Sequence, residues 1–222
     1  MDKIRERFRI PRGAWVFLYA FIYFPWFLIL EHTVTDRYYL IECPLDYWVP
    51  FNEYFIIPYI VWFGYVAGSF LWCLYREEKR FFYQFSGVMC GGMTVALLIY
   101  TFFPNGISLR PHIDPAKNIF CYLTSIIYSA DTSTNVFPSL HVYTSAVIGF
   151  FAMKSKLVKE RPFMKYVTGI TSVLIILSTI FLKQHSVLDL AAGVVMAWSF
   201  SRAVLMEKDE VSRFRLVNDS AG

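Results

Sequence analysis

Six stretches of this chain stay apolar long enough to cross a bilayer as helices: 14–30, 54–75, 83–103, 138–153, 166–182 and 185–206. A helix of about 20 apolar residues matches the thickness of the hydrocarbon core. Inside hydrocarbon every backbone N–H and C=O must find a partner within the protein, and a helix satisfies them with its own backbone. The expected fold is therefore an all-α integral membrane protein, a bundle of six transmembrane helices. The run at 138–153 is the shortest and is expected to begin within the interface. The first run is aromatic and has no small-residue cleavage site behind it, so it reads as a span and not as a removable leader. Composition agrees, with 56% of residues apolar and 19% aromatic, well outside soluble usage.

The basic residues sort by connection. Lys3, Arg5, Arg7, Arg9 and Arg12 precede the first run, and Arg76, Lys79 and Arg80 follow the second. Lys154, Lys156, Lys159, Arg161 and Lys165 follow the fourth, and Arg202, Lys208, Arg213 and Arg215 lie at the C-terminal side. The alternate connections hold Arg37, Arg110, Lys117 and Lys183. This split of seventeen to four puts both termini in the cytoplasm by the positive-inside rule. The net charge of +4 is then a topology signal that can also attract anionic lipid headgroups, and it gives no reason to invoke nucleic acid. One membrane domain, 1–222, accounts for the chain. Its parts outside the spans include a basic interfacial tail at 1–13, an outer active-site loop at 104–137 and a cytoplasmic tail at 207–222.

Between the first two runs, 33–52 is acidic and aromatic and reads as an interface belt. Asp46 and, just beyond it, Glu53 are its candidates to face a substrate. Gly64, Gly68, Gly87, Gly91 and Gly92 are expected to let helices approach closely, with Met89 and Met93 as filler. The connection 104–137 is too polar for lipid, and a loop of that length in a compact domain usually carries function. Cys73 and Cys90 fall within spans as packing residues. Cys43 and Cys121 share the outer side and can pair if that compartment oxidises thiols. No cysteine spacing matches a zinc site.

All four histidines, His32, His112, His141 and His185, fall on the outer side of this topology. His141, in Phe137-Pro138-Ser139-Leu140-His141, opens the fourth run, and His185 opens the sixth. Both helices run from outside to inside. Their first turns should offer free N–H groups and positive dipole ends to one layer, with Pro138 at the first helical position. That is an anion site. Arg110 and Lys183 add cations on the same side, and phosphate suits such a cradle. His185 and Asp189 are four apart and share a helix face. A carboxylate inside a span costs about 2.5–3.5 kcal/mol on insertion scales, so it needs a partner or a task. Behind an imidazole it fixes the tautomer and supports positive charge, which suits a nucleophile or a base. The plain alternative is a polar pair that joins helices.

Arg110-Pro111, then Pro138-Ser139-Leu140-His141, then His185-x-x-x-Asp189 together resemble the three-part signature of the type 2 phosphatidic acid phosphatase superfamily. That superfamily includes lipid phosphate phosphatases and related lipid phosphotransferases. The resemblance implies that His185 attacks phosphorus and becomes a phosphohistidine, that Asp189 orients it, and that His141 protonates the leaving oxygen. It implies that Ser139 and Arg110 hold the phosphoryl oxygens, and it implies no metal and no other cofactor. Phe103, Leu140 and Thr179 stand where the signature usually has Lys, Gly and Arg, while Ser178 is kept. Lys183 is placed to replace one missing cation. These departures point to a divergent branch, near the phosphotransferases.

The leading expectation is a metal-independent membrane phosphatase acting on a lipid phosphate at the non-cytoplasmic face, with membrane lipids around it. The alternatives are a lipid headgroup phosphotransferase of the sphingolipid-synthase kind and a non-catalytic protein that binds lipid phosphates. A haem or metal protein would want its histidine pairs deep within spans, and these lie at span starts.

Overall fold

The computed structural model describes residues 13–34 and 37–219, the stretch 205–219 as backbone alone. The basic tail before residue 13, Asp36 and the side chains of Lys208, Arg213 and Arg215 lie outside the described residues. A 3-10 turn, Ala14–Tyr19, leads into α1 (Ala20–Thr33). Then come β1 (Tyr39–Leu40), α2 (Pro44–Trp48) and a second 3-10 turn, Glu53–Phe55, which runs into α3 (Ile56–Arg76). Next are α4 (Lys79–Phe102), β2 (Asn105–Gly106) and α5 (Ile119–Ala130). The chain closes with α6 (Leu140–Lys154), the one-turn α7 (Lys156–Lys159), α8 (Pro162–Phe181) and α9 (Val187–Asp219).

Among the described residues, five helical stretches are long and apolar enough to cross a membrane: Ala14–Thr33, Glu53–Arg76, Lys79–Phe102, Pro162–Phe181 and Val187–Val204. They turn large apolar side chains such as Phe21, Phe63, Ile170 and Val195 outward. Exposed apolar surface on this scale needs an apolar medium or a partner. The run expected as a sixth span is α6, with 15 residues. At 1.5 Å per residue it is about 22 Å long, short of the hydrocarbon thickness. Its position accounts for its composition. α6 is the central helix and packs against α8, α9, α4 and α3. Val142, Tyr143, Val147 and Phe151 are all buried, as befits a helix that is apolar all round.

Close approach is achieved at fewer glycines than the sequence suggests. A Cβ on Gly92 would lie 2.0 Å from the hydroxyl of Tyr143, which donates 2.5 Å to the carbonyl of Val88. A Cβ on Gly193 would lie 2.9 Å from the carbonyl of Ser139, so this glycine lets α9 sit against the start of α6. Gly64, Gly68 and Gly87 face open space instead.

The connection 104–137 is not uniformly polar. Its middle is the apolar α5, capped by Asn118, whose side chain accepts from the N–H of Cys121 at 2.8 Å. Ile119, Tyr122 and Ile126 are exposed on it, while Cys121 and Thr124 are buried. The return to α6 is held by Asn105. Its side-chain oxygen accepts from the N–H groups of Val136 and Phe137 at 2.9 and 2.7 Å. β2 also pairs in parallel with β1, Tyr39 opposite Asn105. All four cysteines are free. Cys43 caps α2 and Cys121 is packed into the start of α5, and no disulfide joins them in this structure.

Candidate active site

The chain leaves α8 through a left-handed turn at Lys183, φ 52°. There the N–H groups of Gln184 and His185 donate to the carbonyl of Thr179 at 2.9 and 3.1 Å. α9 starts two residues later, and its first N–H groups are not free as expected. Val187 donates to Asp46 Oδ1 at 2.7 Å, and Leu188 donates to Ser186 Oγ at 3.1 Å. Ser186 donates its N–H to Asp189 Oδ2 at 2.8 Å and its hydroxyl to Asp46 Oδ2 at 2.7 Å. The chain's own carboxylates thus fill the anion cradle of this helix. Asp46, a candidate to face substrate, is buried as the cap of α9.

This collar fixes His185. Its Nδ1 lies 3.4 Å from Asp189 Oδ2, with the carboxylate fully buried behind the ring. That distance is long for a hydrogen bond but short enough to support an imidazolium. His185 lies just outside the α9 span. Burial, helped by the charge of Arg110, pushes its pKa well below the usual imidazole range. A neutral imidazole carries the lone pair that a nucleophile needs.

The start of α6 is built differently. Ser139 is its N-cap and accepts from the N–H of Val142 at 3.4 Å. Pro138 therefore precedes the cap and is not the first helical residue. Its carbonyl accepts from the hydroxyl of Tyr100 at 2.6 Å. The N–H of Ser139 donates to the carbonyl of Asp189 at 3.3 Å, which ties the two helix starts together. His141 lies against Tyr59 and Trp62, with ring centroids 4.6 and 4.1 Å away. Trp62 is fixed in turn by its Nε1–H donating to Thr144 Oγ1 at 2.8 Å. His141 Nε2 is buried without a hydrogen-bond partner. The rings of His141 and His185 are 5.8 Å apart, centroid to centroid.

Both rings line a cavity of about 500 Å³, within the range of small-molecule sites. Its histidine end also holds Glu31, Tyr59, Asp131, Asn135 and Gln184. Its other end is an apolar trough between the first helix and α3, from Phe27 and Phe63 down to Val16 and Phe70. Asp189 stands behind His185 and does not line the cavity. Nor do Arg110, Ser139 and Lys183. Ser139 is occupied as a cap, and Lys183 donates its Nζ to the carbonyl of Asp46. Arg110 donates to the carbonyls of Tyr128, Asp131 and Thr132 at 3.3, 2.7 and 2.6 Å, and also to Gln184 Oε1. It lies over the ring of Tyr128 at 4.6 Å. Arg110 thus clamps the C-terminal end of α5, where backbone carbonyls carry negative dipole, to the residue beside His185. Its Nε remains without a partner.

Glu53 binds Lys117 and Asn118 at 2.8 and 3.1 Å and anchors the loop, away from the cavity. His32 and His112 are exposed. Among the described residues no group of three or more His, Cys, Asp or Glu could hold a metal ion. Sequence reasoning missed Tyr59, Trp62, Gln184 and Glu31. The aromatics read as ordinary span residues, and Glu31 reads as the end of a span.

Over residues 20–202 the chain matches the family described as the PAP2 superfamily. No curated protein and no solved structure matches it. The matched stretch holds all three signature pieces and the starts of both histidine helices, and it takes in most of the chain. The chain therefore belongs to the PAP2 superfamily, that of the type 2 phosphatidic acid phosphatases.

Proposed function

We propose that this protein is a multi-pass membrane phosphatase that cleaves a lipid phosphate through a phosphohistidine at His185. The observation that carries this reading is the pair of rings 5.8 Å apart in one cavity, one backed by Asp189. A phosphorus atom placed between them would meet a nucleophile on one side and a proton donor on the other. His185 attacks phosphorus while the bond to the leaving oxygen breaks, and His141, as the imidazolium, gives that oxygen its proton. Water then attacks the phosphohistidine, His141 takes the water proton, and the P–N bond breaks to release phosphate. Asp189 supports the charge that His185 gains. Arg110, which already reaches His185 electrostatically, offsets charge on the phosphoryl oxygens. Ser139 and Lys183 serve this site by shaping the two helix starts. The apolar trough receives the lipid chain.

The reading includes α6 as a sixth span, shortened because it is sheltered by its neighbours. The basic residues then place both termini in the cytoplasm and the histidine end at the opposite face. The test is phosphate release from dispersed phosphatidic acid, with and without a chelator. Release should persist in the chelator and fall about 10³-fold or more in His185→Ala. Full activity in that variant would remove the assignment.

A further inference from the structure

A second hollow, of about 590 Å³, lies between α3, α6 and α8, toward the end of the bundle away from the histidines. It shares no lining residue with the histidine cavity. α3 lines it from Ile60 to Glu77, but α6 does so only from Ile148 to Ser155 and α8 only from Met164 to Thr171. At 1.5 Å per residue those two walls are about 10 Å tall, within the roughly 15 Å of hydrocarbon in one leaflet. Gly64 and Gly68 stand on the α3 wall, and a Cβ on either would have nothing within 4 Å. Small residues at this spacing normally bring a second helix close. Here they widen a gap that no described residue fills. Four hydroxyls of the hollow bond to the chain itself. Tyr65 donates to the carbonyl of Thr168 at 3.0 Å, Ser69 to that of Tyr65 at 2.7 Å, Thr168 to that of Met164 at 2.8 Å, and Ser155 to Glu77 Oε1 at 2.5 Å. The surface left for an occupant is mainly apolar. The rim is basic. The connecting residues 76–80 and 154–165 hold eight Lys or Arg against three Glu, and Glu78 is already paired with Lys156 at 3.1 Å. Arg76 lies 5.5 Å over the ring of Trp72, which lines the hollow. Arg161 donates its N–H to the carbonyl of Val158, also in the lining, at 3.1 Å, and Lys165 follows Met164. Arg76, Arg161 and Lys165 are exposed and make no ion pair among the described residues.

We propose that this hollow binds an anionic phospholipid from the leaflet at the basic end, with one acyl chain between α3 and α8 against Gly64 and Gly68, and with its phosphate held by Arg76, Arg161 and Lys165. The apolar walls match a chain in length and character. The rim matches its headgroup, because clustered Lys and Arg at a membrane surface attract anionic lipid and guanidinium groups pair with phosphate oxygens. The same features disfavour a second copy of this chain. A spanning helix would need a groove along the whole membrane depth, and two like basic rims would repel each other. The site lies on the opposite side of α3 from the histidine cavity, so it stands whether or not the histidines carry phosphoryl transfer.

The test is native mass spectrometry of the full-length protein in detergent, with equal amounts of phosphatidylglycerol and phosphatidylcholine of identical chains added. The wild type should retain one phosphatidylglycerol at least about tenfold over phosphatidylcholine, in line with the attraction of several basic residues for an anionic headgroup. Gly64→Leu with Gly68→Leu fills the hollow and should remove that lipid. The melting temperature should not fall, because both leucines enter open space and glycine is the poorer helix former. Arg76→Gln with Arg161→Gln and Lys165→Gln should bring the ratio of the two lipids close to one. Equal retention of both lipids by the wild type would overturn the proposal without recourse to any variant. Undiminished retention in the glycine variant would also overturn it, by placing the lipid elsewhere. So would a wild-type dimer that the glycine variant converts to monomers, since the hollow would then be an interface between copies.

Discussion

α6 and α9 begin side by side at one end of the bundle, each with a histidine near its first turn, yet the two beginnings are built from opposite materials. At α9 the surroundings are polar. Asp46, Ser186 and Asp189 consume the first N–H groups and place a carboxylate behind His185. At α6 they are aromatic. Tyr59 and Trp62 lie against His141, and its Nε2 has no partner. Two like side chains thus receive unlike environments, which is how a site divides one residue type between two roles. The acid-backed ring can stabilise a lasting positive charge, as a phosphohistidine requires. The ring between aromatics is left free to exchange a proton with whatever enters the cavity.

Three substitutions probe that difference. The largest effect is expected at His141→Gln. It should lower cleavage of an ordinary alkyl phosphate ester by about 10²–10⁴-fold, the usual contribution of a general acid. An ester whose leaving group needs no proton, such as nitrophenyl phosphate, should still phosphorylate His185 in this variant. Equal loss on both esters, measured as the burst of leaving group, would break the division of labour. Asp189→Asn keeps the shape and removes the charge behind His185. About a 10²-fold fall in turnover is expected, less than the loss seen for the comparable change in a catalytic triad because this carboxylate sits 3.4 Å from the ring. The loss should be the same for good and poor leaving groups. The smallest effect belongs to Asp46→Ala, which uncaps α9 without touching the cavity. A loss of about 1–2 kcal/mol in stability is expected, read as a lower melting temperature, with turnover reduced by less than in Asp189→Asn.

The contrast also separates what the sequence disclosed from what it concealed. The long helices were legible because each is an apolar run bounded by charge, and among the described residues five meet the length and composition of a span. His141, His185 and Asp189 were legible because polar groups at the start of apolar runs stand out. Their surroundings were not. Asp46 lies 141 positions from Val187, whose N–H it accepts, and nothing local in α2 announces that it caps a distant helix. Arg110 and Lys183 read as phosphate ligands because they are cations near the site in sequence. The fold directs one at the carbonyls that end α5 and the other at the carbonyl of Asp46. The left-handed backbone at Lys183 belongs to the turn that closes α8, and a residue-type pattern carries no record of it. α5 was hidden inside a loop because the polar stretches on either side dominated its average.

The central claim is that His185, and not His141, carries the phosphoryl group. It is tested most directly by mixing ³²P-labelled lipid phosphate with the wild type, quenching in alkali, and mapping the label by peptide. The account predicts an acid-labile, alkali-stable label on the peptide containing His185, absent in His185→Ala. Label on the peptide containing His141, or an acid-stable label on a serine, would contradict it.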